Sequence, residues 1–325
     1  MVEANKQHYR NGRFINLYAT DSIPNVLGFL KWQWQRLWKH IPPANSYNFR
    51  LNNCDVAFLK ENRDNYTATW IGHATILLQM EGKNILTDPH FSDRASPVPF
   101  FGPKRVVPPA IPIYELPFID IVIISHDHYD ALDKNSVINL YKRPNGEKTL
   151  FFVPLGLKRW FIHHGIHNVV ELDWWEDYKI DNIVIAAVPA QHWSKRGLLS
   201  KNKTLWAGWV VYSETFRFFF AGDTGYSPIF KEIGKRFGPF DLSAIPIGAY
   251  EPRWFMRNHH VTPEEALQIH IDVNSKRSIA IHWGTFILTD EPLDEPPKRL
   301  IKEMKRRSIS EDEFLILKHG ETLLL

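Results

Sequence analysis

Cysteine is almost absent. A lone Cys54 rules out an internal disulfide framework and fits a reducing, cytoplasmic compartment. Long apolar runs are missing too: nowhere do about 18 apolar residues follow one another, so no segment is read as spanning a bilayer. Met1 to Tyr18 is polar and basic without a continuous apolar stretch, which argues against a secretory signal. An excess of one charge is lacking as well. The net +3 is too small, and the Lys and Arg too scattered, to point to a nucleic-acid partner. No internal repeat or low-complexity tract divides the chain. What it does have is aromatic weight: 12 Trp, a residue that serves cores and membrane interfaces alike, beside 44% apolar content sufficient for a substantial core.

Residues 1–50 read as an N-terminal extension, and residues 51–325 as the catalytic domain. In the extension Leu27, Leu30, Trp34, Leu37, Trp38 and Ile41 recur at helical spacing, with Lys31, Arg36 and Lys39 off that stripe, until Pro42-Pro43 ends the pattern. Such a stripe either docks on the domain or lies on a membrane surface, and docking is the commoner use. From Tyr66 onward strand signals take over. Thr69–Gly72 and Thr75–Gln79 suggest a strand pair or a bulged strand, and Asn84–Thr87 follows a Glu81-Gly82 turn. Helices are expected from Asp133, over Pro228–Phe237 and over Pro263–Asp272. Strands then helices, repeated, predict two mostly β halves covered outside by helices, an α/β architecture.

Four apolar runs end on residues able to hold a transition metal. Ile121–Ile124 leads through Ser125 to His126, His128 and Asp130; Ile183–Val188 leads to His192; Phe218–Phe220 leads to Asp223; Ile279–Ile281 leads to His282. Residues two apart on an extended segment point the same way, so His126 and His128 can face one cation. A His-x-His pair alone says little, since about 0.7 would occur by chance in a chain with 15 His. Several such residues delivered at strand ends say more: a rigid scaffold builds a metal site on its loops in this way.

The string His126-Asp127-His128-Tyr129-Asp130, the lone His192, Gly222-Asp223-Thr224-Gly225, and His282 before Trp283-Gly284 together resemble the metallo-β-lactamase superfamily. Within it, Thr69–Thr75, Leu86–Pro89, Arg94–Pro97, Gly102–Arg105, Glu171–Glu176, Gln191–Trp193 and Ile247–Met256 resemble the N-acyl phosphatidylethanolamine-hydrolysing phospholipase D family, over a span from about Tyr66 to the C-terminus. The resemblance implies an αββα sandwich with a two-zinc site at one edge: one Zn2+ on His126, His128 and His192, with Asp223 bridging, and a second on Asp130, Asp223 and His282. The family places a further histidine after the aspartate. Here that position is Ala131, so the second Zn2+ is expected to bind more weakly and activity to be reduced or lost.

The implied reaction releases an N-acylethanolamine and phosphatidic acid from N-acylated ethanolamine phospholipids, at a membrane surface and as a peripheral protein; the resemblance leaves a homodimer open. Asp130 reads equally as a group orienting the nucleophile or as a plain ligand. Asp88 is expected to orient a ligating imidazole from behind, and His260 to contact the head-group amide. His259 is read as solvent-facing. His73 is at least as well explained as a hydrogen-bonded structural histidine, and His163, His164 and His167 as surface or packing residues. The apolar loops Val98–Phe101 and Trp254–Met256 suggest a groove open to lipid, core packing being the even alternative. Competing readings are a hydrolase of another ester or lactone, with a small polar pocket, and a lipid-binding pseudoenzyme.

Overall fold

The computed structural model describes residues 7–19, 26–197 and 199–325, so the start of the Met1–Tyr18 segment lies outside the described residues. A small hairpin, β1 (Tyr9–Arg10) and β2 (Arg13–Phe14), precedes helices α1 (Val26–Arg36) and α2 (Val56–Glu61). Then come β3 (Thr67–Gly72), β4 (Thr75–Met80), β5 (Lys83–Thr87), β6 (Ile121–Ile123), α3 (Lys134–Lys142), β7 (Leu150–Pro154), α4 (Lys158–His163) and β8 (Val169–Leu172). The second half holds β9 (Asp177–Ile180), β10 (Ile183–Val188), β11 (Gly208–Tyr212), β12 (Arg217–Phe220), α5 (Ile229–Phe237), β13 (Leu242–Pro246), α6 (Arg253–Met256), α7 (Pro263–Asp272), β14 (Ser278–Ile281), α8 (Glu295–Arg307), β15 (Phe314–Leu315) and β16 (Thr322–Leu324).

Two seven-stranded sheets form, in the orders β16-β3-β4-β5-β6-β7-β8 and β15-β14-β13-β12-β11-β10-β9. Alternation along the strands makes them a sandwich: on β4, Ile76, Leu78 and Met80 join Trp209, Val211, Phe218 and Phe220 of the other sheet in one core, whereas Leu77 packs outward with Leu59, Val137, Leu140 and Phe161 of the covering helices. The expected helices start where their caps stand. Asp133 accepts from Asn135 N at the start of α3, and Thr262 and Glu265 form a capping box ahead of Pro263 on α7. The doubtful Thr69–Gln79 region is both things expected of it, an antiparallel pair and a bulge between Trp70 and Gly72.

Strands β5 to β8 are mutually parallel, as are β12 to β15. Two antiparallel steps link β3 to β5, and two link β10 to β12, so β3, β5, β6, β10, β12 and β14 run out toward one edge of the sandwich.

Helix α1 docks, but not by the stripe that periodicity picks out. Trp32 is the buried residue, its indole N–H donating to Asp290 Oδ1 at 3.0 Å and its ring lying 5.2 Å from Phe255, while Arg36 and Lys39 reach the same carboxylate. Leu27, Leu30, Trp34, Leu37 and Trp38 are exposed, Trp34 at 65% and Trp38 at 81%. The docked face is held by one aromatic and a charge pair, which a search for apolar spacing does not see. Residues before 50 also enter the core: Phe14 is fully buried among the sandwich residues.

Candidate metal centre

His126 and His128 follow β6, and His192 follows β10 on the opposite sheet. Their facing atoms are His126 Nε2, His128 Nδ1 and His192 Nε2, with His126–His128 at 2.9 Å and His128–His192 at 3.2 Å. For His126 and His192 the other ring nitrogen explains which one faces inward. Ser125 Oγ donates to Asp88 and therefore accepts from His126 Nδ1 at 2.8 Å, leaving His126 Nε2 a bare lone pair. His192 Nδ1 donates to the His259 carbonyl at 2.9 Å, with the same result for His192 Nε2. Burial first, then the neighbouring imidazole of His128, lowers the His126 pKa to about 3, so the ring is neutral near pH 7. Converging lone pairs repel unless something electrophilic sits among them.

Asp223 follows β12 and spans to the other group. Its Oδ2 is 3.7 Å from His126 Nε2, and its Oδ1 is 3.1 Å from His282 Nε2. Gly222 makes the approach possible: with φ +60° it turns the chain where a Cβ would meet Ser125 Cβ at 2.8 Å. His282 Nε2 lies 3.4 Å from Asp130 Oδ2, and so does His73 Nε2. Two donors held 2.0–2.2 Å from one tetrahedral ion are about 3.3–3.6 Å apart, so the two 3.4 Å spacings to Asp130 Oδ2 suit edges of a coordination polyhedron better than hydrogen bonds. Burial lowers the proton affinity of His282, yet the carboxylates of Asp223 and Asp130 outweigh it and push the pKa up to about 10. The field at this point favours a cation. A donor set of imidazole nitrogens and carboxylate oxygens fits a first-row divalent metal.

All six candidate ligands, His126, His128, Asp130, His192, Asp223 and His282, thus come together at one edge. His260 joins them in a group with His192 and Asp223, its buried Nδ1 without a hydrogen-bond partner. Asp88 does not face the donors: Oδ1 accepts from Ser125 N at 2.7 Å and Oδ2 from Ser125 Oγ, so it reaches His126 only through Ser125. Burial pushes its carboxyl well above the usual range, with the Ser125 donors pulling it back.

His259 is not solvent-facing. It is buried, because its carbonyl must stand behind the His192 ring. Ser125 and Asn16 are contributors that motif reading passes over. Asn16, from the N-terminal segment, brackets the His192 backbone by donating to its carbonyl at 2.9 Å and accepting from its N–H at 3.1 Å. Asp127 ties the same loops by accepting from Lys195 N and Thr204 Oγ1. Among the described residues His163, His164 and His167 join no candidate group.

Residues 83–283 match the model of the Beta-lactamase superfamily domain. The chain belongs to this superfamily. Over 266 residues it is 44% identical to the N-acyl-phosphatidylethanolamine-hydrolyzing phospholipase D 1 of Caenorhabditis elegans, covering 78% of this chain and 74% of that protein. It is 38% identical over 239 residues to the mitochondrial N-acyl-phosphatidylethanolamine-hydrolyzing phospholipase D of Saccharomyces cerevisiae, covering 71% of this chain and 50% of that protein. A metallo hydrolase from the archaeon Ignicoccus hospitalis shares the fold, with a TM-score of 0.61 at 18% identity, over 81% of this chain and 99% of the other. The αββα sandwich is therefore the metallo-β-lactamase fold, and its donor-lined edge collects residues from both sheets.

Proposed function

We propose that the protein is a two-zinc phosphodiesterase of phospholipase D type that hydrolyses N-acyl phosphatidylethanolamine. The observation that carries the reading is the pair of adjacent donor groups joined by Asp223, in a chain closely similar to hydrolases of that lipid. Two divalent cations held by His126, His128, His192, Asp223, Asp130 and His282 would supply water acidified enough to react at neutral pH and would offset charge on a phosphoryl group. Asp130, held well below the usual carboxylate range because His282 and His73 outweigh its burial, stays ionised and would orient the attacking water by accepting a hydrogen bond from it. Attack at phosphorus breaks the bond to the ethanolamine oxygen; N-acylethanolamine leaves and phosphatidic acid remains. In this reading His260, beside His192 and Asp223, would meet the head-group amide, and Asp88 would keep His126 aimed through Ser125. Counting the family pattern alone, Ala131 leaves the second position three protein donors and a weaker hold on its cation.

Lipid access is supported by apolar surface on both sides of the segment after His282. Arg36 of α1 donates to the Leu288 and Thr289 carbonyls, and Arg105, closing the loop that exposes Phe100 and Phe101, pairs with Phe286. With exposed Trp34, Trp38 and Trp254, these side chains suit a protein resting on a membrane surface without crossing it. A groove of about 520 Å³ that reaches Gln191 mixes Arg253, Arg257 and Glu265 with Trp254 and Phe255, and its charged part keeps a smaller polar ester as the second reading.

The test is turnover of N-acyl phosphatidylethanolamine in mixed micelles containing H2 18O. Label in phosphatidic acid, with unlabelled N-acylethanolamine, is the expected product pattern. Diacylglycerol as product, or hydrolysis of lactones with none of the lipid, would overturn the reading.

A further inference from the structure

We propose that His73 is a protein ligand of the second cation, standing in for the imidazole that Ala131 lacks. The inference rests on the two-metal reading above and changes one of its terms. His73 lies in the turn between β3 and β4, far in sequence from the other donors. Yet its Nε2 is 3.4 Å from Asp130 Oδ2, the same distance as His282 Nε2, and the three ligand atoms lie within 4.8 Å of one another. Both spacings fall within the range for donors that share a tetrahedral ion.

The alternative role, a structural histidine, requires satisfied ring nitrogens. His73 Nε2 is buried without a hydrogen-bond partner, and 3.4 Å is too long to make Asp130 a good one. The backbone also looks built for placement. His73 adopts φ +53°, a left-handed conformation that costs an L-residue about 1–2 kcal/mol and persists only where the surroundings over-determine it. Here they do. Its N–H donates to Thr285 Oγ1 at 2.9 Å, and its carbonyl accepts from both Trp70 Nε1 and His282 N at 2.9 Å. The last bond fastens the backbones of His73 and His282 to each other, which fixes the separation of the two rings, 4.1 Å between centroids. Ala131, the buried residue that follows Asp130, has no donor atom to offer.

With His73 counted, the second position has four protein donors: His73 Nε2, Asp130 Oδ2, His282 Nε2 and Asp223 Oδ1. Ala131 then marks a site whose imidazole arrives from a different strand end, and it does not by itself imply a weak or inactive centre.

The experiment measures zinc content and affinity of the full chain by elemental analysis and chelator competition, for the natural sequence, His73→Asn, and His73→Asn combined with Ala131→His. Asn is chosen because it tolerates the left-handed φ. The natural chain should hold about two zinc ions, as a binuclear site does. His73→Asn should hold one tightly and bind the other at least tenfold more weakly, and adding Ala131→His should restore the second. A second readout needs no substitution: in 15N-histidine-labelled protein loaded with cadmium-113, scalar coupling should appear between the metal and His73 Nε2. Two zinc ions of unchanged affinity in His73→Asn would overturn the ligand role of His73 and leave the two-metal reading standing. A natural chain that binds no more than one zinc in excess metal would overturn both. Should His73→Asn fail to fold, absence of cadmium coupling at His73 overturns the proposal.

Discussion

Ser125→Ala is a sharp test of how the first donor group is held. The hydroxyl donates to Asp88 Oδ2 and accepts from His126 Nδ1 at 2.8 Å, both in a fully buried setting. Removing it leaves Asp88 with a single donor, the Ser125 N–H, and leaves a buried imidazole N–H with none. Each orphaned group costs about 1–3 kcal/mol, so the metal-free protein should lose about 2–6 kcal/mol of stability before relaxation. The effect on metal binding is separate. Without Ser125 Oγ, nothing fixes which His126 nitrogen carries the proton, and support of this kind is typically worth 10–100-fold in affinity, about 1.4–2.8 kcal/mol. Urea unfolding of the metal-free protein gives the first number, and zinc titration against a chelator of known affinity gives the second. A stability loss below about 1 kcal/mol together with an unchanged zinc affinity would show that the Asp88–Ser125–His126 chain does not act as described.

Other outcomes are expected elsewhere. Trp34→Ser with Trp38→Ser should cut co-sedimentation with phospholipid vesicles while leaving the melting temperature within a degree or so, because both side chains are exposed; equal vesicle binding would return the stripe to a neutral role. Deleting residues 1–50 is a poorer version of that test, since it removes Asn16 and Phe14 too. Trp32→Ala should free α1, at a local cost of about 3–5 kcal/mol, and expose residues 26–40 to limited proteolysis; unchanged protection there would contradict the docking contact. His319 is held at about 3 by burial, against an ordinary value near 6.5, so the unfolded chain takes up its proton first as the medium is acidified. Its contribution is complete above about pH 6.5 and lost as pH falls toward 3. His319→Gln should therefore flatten the stability–pH slope between pH 4 and 6 by about 1.4 kcal/mol per unit, which denaturant titrations at several pH values would show.

The fold was legible where spacing and caps agree. The Glu81-Gly82 turn after β4, the Asp133 cap and the Pro263 start each announce their elements, and strand-end residues announce the donors. What stayed hidden depends on partners far away in sequence. His259 looks exposed until its carbonyl is seen behind His192, and Asn16 is an unremarkable polar residue until it closes on the same histidine. The docked face of α1 turns on a charge pair with Asp290, more than 250 residues away, whereas its most regular apolar spacing belongs to the side left uncovered. His73 illustrates the same limit, since nothing local to its turn reveals that Asp130 and His282 wait beside it.

Each donor group draws on both layers of the sandwich: His126 and His128 come from one sheet and His192 from the other, as do Asp130 and His282. A cation at either position would work as a rivet through two plates, and thermodynamic linkage makes the relation reciprocal. Metal should resist the sheets coming apart, and any loosening between them should release metal. Affinity for zinc is then a gauge of how well the two plates are seated. A core substitution at Trp209, whose indole N–H reaches across to the Ile124 carbonyl just before Ser125, would be felt at the edge as a lost ion long before the protein unfolds.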